Sequence, residues 1–325
     1  MLFRSKQKDV KLNGWAIESR IYAEDPFREF LPSIGRLVRY MPPEEDVRDG
    51  LTIRNDTGVR EGDEISLYYD PMIAKLCTHG PDRLAAIDHM TKALDRFYIE
   101  GIGHNIPFLN AVYEQDRFRE GRLTTGYIAE EFPDGFEGAT PGADVIRQLA
   151  AVATFIQITA DRRFEGRGDV VLDPAGERKA RVVCFGGQYF PVQTALDGDI
   201  LDVTVGGSEE ASYRVLSRWR PGWPLFIGAI GDADIAVGVK QTRDGWELSY
   251  RGASLPAKVL SPRVAELEKL MPERIAPDTS KMLLCPMPGL VVSINVEVGD
   301  VVQAGDTIAV VEAMKMENVL RAERT

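Results

Sequence analysis

Apolar and polar residues partly alternate from Trp15 to Tyr22, the period of a half-buried strand. Pro81 and Asp82 then open a segment in which Leu84, Ile87, Met90, Leu94 and Phe97 recur at helical spacing, predicting a helix with that stripe in the core. Asn105, with Pro107 two residues on, reads as the cap of a second helix that turns Phe108, Leu109, Val112 and Tyr113 inward. Residues 1–132 therefore mix strand and helix as an α+β unit. The glycines and prolines of 133–142 continue neither structure, so a domain boundary is placed there.

Beyond it, residues 143–159 form a helix in which Leu149, Val152, Ala153, Phe155 and Ile156 leave little polar surface, so other elements must surround it. Short strand-like runs follow at 181–185, 188–192, 200–205, 212–218, 224–230, 234–240, 246–250 and 255–260, separated by turn formers such as Gly186-Gly187 and Asp197-Gly198-Asp199. One apolar helix and these strands predict an antiparallel barrel closed around the helix, spanning 133–275. Residues 262–271 read as a short helix with Val264, Leu267 and Leu270 inward, and 275–280 as a linker.

The last segment, 276–325, has strands at 290–296 and 307–311, with Gly299-Asp300 and Gly305-Asp306 as turn steps between them. The run Glu312-Ala313-Met314-Lys315-Met316-Glu317 places Lys315 at the tip of a tight hairpin, where its amine projects into solvent. The fold class is multidomain, α+β followed by β.

A chain of 325 residues, 44% hydrophobic and 27% charged, is a normal globular mixture sized for two or three domains. Its net charge of −11 repels a phosphate backbone and an anionic bilayer, so neither nucleic acid nor membrane is an expected partner. Cys77, Cys184 and Cys285 are odd in number and lack metal-ligand spacing, which predicts buried thiols rather than disulfides or a metal site. His79, His89 and His104 show no triad or ligand spacing and read as structural or solvated. With no secretory signal or spanning segment, the expected compartment is the cytoplasm, or the mitochondrial matrix in a eukaryote.

Two sets of residues carry a family resemblance. Pro286-Met287-Pro288-Gly289, the two Gly-Asp steps and the Lys315 hairpin are similar to the biotin carboxyl carrier domain of biotin-dependent carboxylases, a flattened lipoyl-like β-barrel. Residues 14–26, Phe30-Leu31-Pro32-Ser33 with Gly35, 68–75 and 103–109 resemble the C-terminal subdomain of biotin carboxylase. The order of carboxylase tail, helix-centred barrel and carrier resembles the alpha subunit of a biotin-dependent acyl-CoA carboxylase.

That resemblance implies covalent biotin on Lys315, flanked by Met314 and Met316, as an amide without titratable charge. It implies that Arg20 lies beside the biotin ureido ring and bicarbonate, where a permanently charged planar guanidinium holds the ureido oxygen as it becomes negative. Asp70 is either a partner orienting Arg20 or simply a turn residue. The implied partners are a carboxyltransferase beta subunit, joined through the middle domain, and biotin protein ligase, with bicarbonate and acyl-CoA as substrates. ATP and Mg2+ serve the complete subunit, yet no glycine-rich phosphate loop with cations and metal-binding carboxylates occurs in this chain. Those ligands are expected in sequence preceding Met1, and the carrier barrel is expected to be completed after Thr325. The fragment alone is thus expected to lack ATP-dependent activity. Two other classes fit less of the chain: a lipoyl-type carrier, disfavoured by methionine on both sides of Lys315, and a non-catalytic assembly fragment.

Overall fold

A computed structural model describes residues 6–48, 50–66, 68–164, 179–197, 200–207, 210–272, 282–285, 289–313 and 316–322. The strand Trp15–Tyr22 forms where the alternation places it, at the edge of a four-stranded antiparallel sheet. Its neighbours in order are Met72–Gly80, Leu51–Thr57 and Asp46–Arg48. Ser19 and Ile21 point into the core while Glu18 and Arg20 face out, as a period of two dictates.

The helix Arg83–Asp95 covers the inner face, its N-terminus capped by Asp82, whose Oδ1 accepts from the Ala85 N–H at 2.9 Å. Ile87, Met90 and Leu94 are at most 1% exposed, as their spacing predicts, and Phe97 packs just past the helix end, edge-on to Tyr40 at 5.6 Å. Leu84 departs from the predicted stripe and is 49% exposed. The first turn approaches the sheet so closely through Ala86, whose N lies 2.9 Å from where a Cβ on Gly80 would sit, that Leu84 is left on the solvent side.

The predicted barrel is present and closed. Eight antiparallel strands run in sequence order from Lys179–Phe185 to Ala253–Leu260, and pairs such as Val183 with Val259 join the last strand to the first. The helix Ala143–Asp161 runs through it, with Leu149, Ala150, Ala151, Val152 and Ala153 fully buried. Three alanines keep this stretch slim enough for strands on all sides to reach it; Phe155 fills the wider level, edge-on to Phe226 at 5.6 Å. Trp246 Nε1 donates to Gln157 Oε1 at 2.9 Å, pairing the polar groups of wall and helix.

Two further expectations are corrected. In the helix Pro262–Glu268 the buried residue is Ala265, whereas Val264, Leu267 and Leu270 are 47%, 55% and 79% exposed. Lys258 Nζ donates to Glu268 Oε1 at 2.5 Å and anchors the helix by its other face. Among the cysteines Cys184 is buried and Cys77 half-buried, but Cys285 is exposed.

Residues 133–142 adopt no regular structure, yet they are packed. Phe136 is buried among Phe27, Phe108 and Phe132, and Ala139 N donates to Gly252 O at 3.2 Å, tying the segment to the barrel. Beside it Arg251, at φ +50°, donates through Nε to Asp95 Oδ2 at 2.9 Å and through its backbone N–H to Asp95 Oδ1 at 3.1 Å; its guanidinium also meets Glu114.

The C-terminal segment is a three-stranded antiparallel sheet of Leu290–Ile294, Thr307–Ala313 and Met316–Arg321. Its two Gly-Asp steps form matching turns: Asp300 Oδ2 accepts from Glu297 N and Asp306 Oδ2 from Gln303 N, both at 2.8 Å, while Gly299 and Gly305 take φ of +108° and +95°. Val311 is buried at 2%, but Leu290 and Ile294 are exposed. Pro286-Met287-Pro288, the 275–280 linker, and Met314 with Lys315 lie outside the described residues. Among the described residues no helix is long and apolar enough to cross a membrane.

Candidate functional site

The outer face of the first sheet carries two cross-strand rows of chemistry-bearing side chains. Arg20 stands opposite Lys75, which stands opposite Asp56; Glu18 stands opposite Cys77, which stands opposite Arg54. Arg20 Nε meets Glu18 Oε1 at 3.2 Å, and Arg54 Nη2 meets Asp56 Oδ2 at 2.7 Å. The Arg20 side chain keeps 57% of its exposure, so the pair is solvated and weak. Hydrogen bonding toward Tyr22, then to Glu18, holds this guanidinium still further above its already high pKa. Burial, with the charges of Glu18 and Asp56, pushes the Cys77 thiol up and keeps it protonated.

An edge strand leaves one row of backbone groups unpaired, and here Asn105 takes them up. Its Oδ1 accepts from Tyr22 N at 2.9 Å, its Nδ2 donates to Arg20 O at 3.0 Å, and its own N–H donates to Tyr22 O at 3.2 Å. The expected capping side chain therefore makes no cap bond to the helix Ile106–Glu114. The reason is competition: edge-strand groups within reach take both ends of an amide only 7% exposed. Ser19 Oγ and Tyr113 Oη, 2.7 Å apart, add a second tie between the same strand and helix. Asn105 thus fixes the backbone on which Arg20 stands.

Segments far apart in the chain meet around this strand. Ala23 N donates to Pro71 O and Ser33 N to Ala23 O, each at 2.8 Å, and Gly103 N donates to Ser33 Oγ at 2.9 Å. Glu29 and Phe30 both hold positive φ, +53° and +59°, unusual for such residues, and Phe30 stacks edge-on against Phe108 at 4.8 Å. Asp70 Oδ1 accepts from Met72 N at 2.8 Å as a turn residue, and the ion pair of Arg20 is made with Glu18. Asp70 instead faces Glu24: burial first, then the charge of Asp70, pushes the Glu24 carboxyl above its usual range. Neither Glu24 nor the strand-clamping role of Asn105 is signalled by local pattern, because both arise from contacts between distant segments.

The second group lies on the C-terminal hairpin. Its register pairs Glu312 with Glu317 and Ala313 with Met316, leaving Met314 and Lys315 as the two residues between the strands. Both fall outside the described residues, and Met316 is placed as the first residue of the returning strand. A primary amine in a two-residue connection on a solvated sheet is a suitable acceptor for an acyl group brought by an enzyme, so the residues present fit a covalently attached biotin.

Three family models match the chain: the biotin carboxylase C-terminal domain over residues 18–130, the propionyl-coenzyme A carboxylase BT domain over 149–274, and the biotin-requiring enzyme model over 281–325. Over 98% of its length the chain is 49% identical to the propionyl-CoA carboxylase alpha chain of Ruegeria pomeroyi, covering 49% of that protein. It is 37% identical to the mitochondrial propionyl-CoA carboxylase alpha chain of Homo sapiens, over 99% of this chain and 44% of that one. The methylcrotonoyl-CoA carboxylase subunit alpha of Dictyostelium discoideum is 28% identical, with 98% and 46% covered. The chain thus spans about half the length of the curated relatives it matches. Among solved structures it is similar to the biotin carboxylase domain of Hydrogenobacter thermophilus 2-oxoglutarate carboxylase, 40% identical with a TM-score of 0.37 over 40% of this chain and 27% of that one.

Proposed function

We propose that this chain, which carries the three domain signatures of a biotin-dependent acyl-CoA carboxylase alpha subunit, serves such an enzyme by bearing biotin on Lys315 and lending Arg20 to the site where that biotin is carboxylated. The observation carrying the reading is the hairpin register that leaves Met314-Lys315 as a two-residue connection inside the segment matched by the biotin-requiring enzyme model. Biotin, when bound, supplies a ureido nitrogen that takes up a carboxyl group and gives it back. In the complete subunit, bicarbonate, ATP and Mg2+ drive the uptake, and a carboxyltransferase beta subunit passes the carboxyl to an acyl-CoA. Propionyl-CoA is favoured over methylcrotonyl-CoA because identity is 49% to the Ruegeria propionyl-CoA carboxylase chain against 28% to the methylcrotonoyl-CoA one.

Each segment has its part. Residues 1–132 hold Arg20 at a fixed place through Asn105, with the guanidinium on the solvent side in an exposed pair with Glu18 that an anion can displace. Residues 133–275 form the barrel that joins this chain to the beta subunit. Residues 276–325 offer the Lys315 amine to biotin protein ligase; amide formation removes its charge and leaves a long neutral tether, so that linkage rather than free diffusion brings cargo to both sites. The expected compartment is the bacterial cytoplasm or the mitochondrial matrix.

Mass spectrometry of the chain co-expressed with biotin protein ligase tests the reading. A biotin adduct on Lys315, lost in Lys315→Arg, is expected; no adduct, or a lipoyl adduct formed by a lipoyl ligase in its place, refutes it.

A further inference from the structure

The two cross-strand rows on the outer face of the first sheet include a cation that the carboxylation reading does not use. Lys75 is half-buried, stands directly opposite both Arg20 and Asp56, and makes no ion pair or hydrogen bond among the described residues. Asp56 is already taken, since its Oδ1 and Oδ2 accept from Arg54 Nε and Nη2 at 2.9 and 2.7 Å. Arg20 and Glu18 hold each other by one bond, at 3.2 Å.

Like charges directly opposite on neighbouring strands repel, so Arg20 and Lys75 face each other with Glu18 as the carboxylate of these rows that can serve either. Glu18 stands opposite Cys77, two positions from Lys75 on the same face, a diagonal of about 7–8 Å that long side chains cross. The Lys75 charge acts on the Cys77 thiol together with those of Glu18, Asp56 and Arg54, which sets the ammonium on the Glu18 side of its strand face. Arg54, the third cation of the two rows, is one strand further from Glu18 and is bound at both oxygens of Asp56.

We infer that Lys75 is a positioning residue: it takes the Glu18 carboxylate when an anion occupies the Arg20 guanidinium. The inference rests on the reading that Arg20 holds the ureido oxygen as it becomes negative. Without Lys75, a displaced Glu18 stays unpaired beside the incoming anion and repels it. With Lys75, Glu18 crosses to the neighbouring strand, and each anion keeps a cation of its own. No bond is broken and no proton moves. Glu18 sits in an exposed ion pair before and after, so the exchange is close to balance and the arriving charge decides it.

A crystal structure of the Arg20→Ala chain tests the second pairing without any assay of carboxylation. The Glu18 carboxylate is expected within ion-pair distance of Lys75 Nζ; Glu18 left in solvent or paired elsewhere overturns the inference. In a complete subunit, Lys75→Met should lower kcat for biotin carboxylation about two- to fivefold with KM for ATP and bicarbonate unchanged, and Lys75→Arg should restore it. Glu18→Gln removes the competing carboxylate, so in that background Lys75→Met should change nothing. Equal losses in both backgrounds would give Lys75 a role independent of Glu18 and overturn the inference, as would an unchanged kcat in Lys75→Met alone. Arg20→Ala separates the two levels. Normal carboxylation there removes the Arg20 reading and this inference with it, whereas impaired carboxylation there with Lys75→Met matching the parent removes this inference alone.

Discussion

Replacing Arg251 with alanine tests how the first segment and the barrel are held together. The Asp95 carboxylate, 5% exposed, takes three donors, two from Arg251 and one from Asn110. Burial nevertheless outweighs the attraction of Arg251 and pushes its pKa up to about 7. A carboxyl raised in this way keeps a proton in the folded state that the unfolded chain has already released. Its stabilising effect is therefore complete below the ordinary carboxylate range and is lost as pH rises toward 7. Removing Arg251 removes the largest influence holding Asp95 down, so the pKa climbs above 7 and the loss extends to higher pH. Below pH 7 both proteins carry a protonated Asp95, and Arg251→Ala costs only its hydrogen bonds and packing, about 1–3 kcal/mol. Above pH 7 the parent gains a paired carboxylate that the variant lacks, and the difference grows by about 1.4 kcal/mol per pH unit, about 2 kcal/mol more at pH 8.5 than at pH 7. Urea unfolding followed by tryptophan fluorescence at pH 6, 7 and 8.5 reads this directly, since Trp219 and Trp246 pack together in the barrel. Asp95→Asn in the Arg251→Ala background should flatten the pH dependence. A destabilisation equal at all three pH values would refute the assignment of burial as the dominant influence on Asp95.

Asn105→Ala strands Tyr22 N and Arg20 O without partners and should destabilise the first segment by about 2–4 kcal/mol; in a complete subunit it should slow biotin carboxylation while Lys315 is still biotinylated. Arg20→Ala should give the same split of activities with little change in melting temperature, because its ion pair is exposed, and normal carboxylation would remove Arg20 from the site. Gly252→Ala brings a Cβ to 2.4 Å from Pro107 O at a backbone φ of +80°; a loss of about 1–3 kcal/mol, or separate unfolding of the two units, is expected by differential scanning calorimetry. The 325-residue chain alone, given ATP, free biotin and bicarbonate, should show no ATP turnover in a phosphate-release assay.

The barrel was the most legible part of the sequence because a strand with one wet and one dry face writes its orientation directly into alternate residues. The runs at 200–205 and 246–250 coincide with Ile200–Val205 and Trp246–Tyr250. Helices wrapped on one side only were harder. Leu84 sits at helical spacing with the buried Ile87, and Leu267 with Val264 and Leu270, but a close backbone approach at Gly80 and the Lys258–Glu268 bond accompany faces that the spacing does not predict, and neither leaves a periodic trace. The candidate site divides in the same way. Arg20 and Lys315 are expectations from motifs, whereas Asn105, Glu24 and the Asp95–Arg251 pair, 156 positions apart, become partners only once the chain has folded.

The anion-receiving role proposed for Arg20 is compatible with its place on an exposed strand face. A group that must receive an anion carried in on another domain cannot be committed to a buried carboxylate, because breaking such a pair costs about 3–5 kcal/mol. With Glu18 two residues back on the same solvated face, it has a partner whose loss costs at most about 1 kcal/mol. An arriving anion can displace Glu18 at that modest cost, while the backbone beneath stays clamped by the buried amide of Asn105. The cheap contact lies where exchange is required and the costly ones where position must not change.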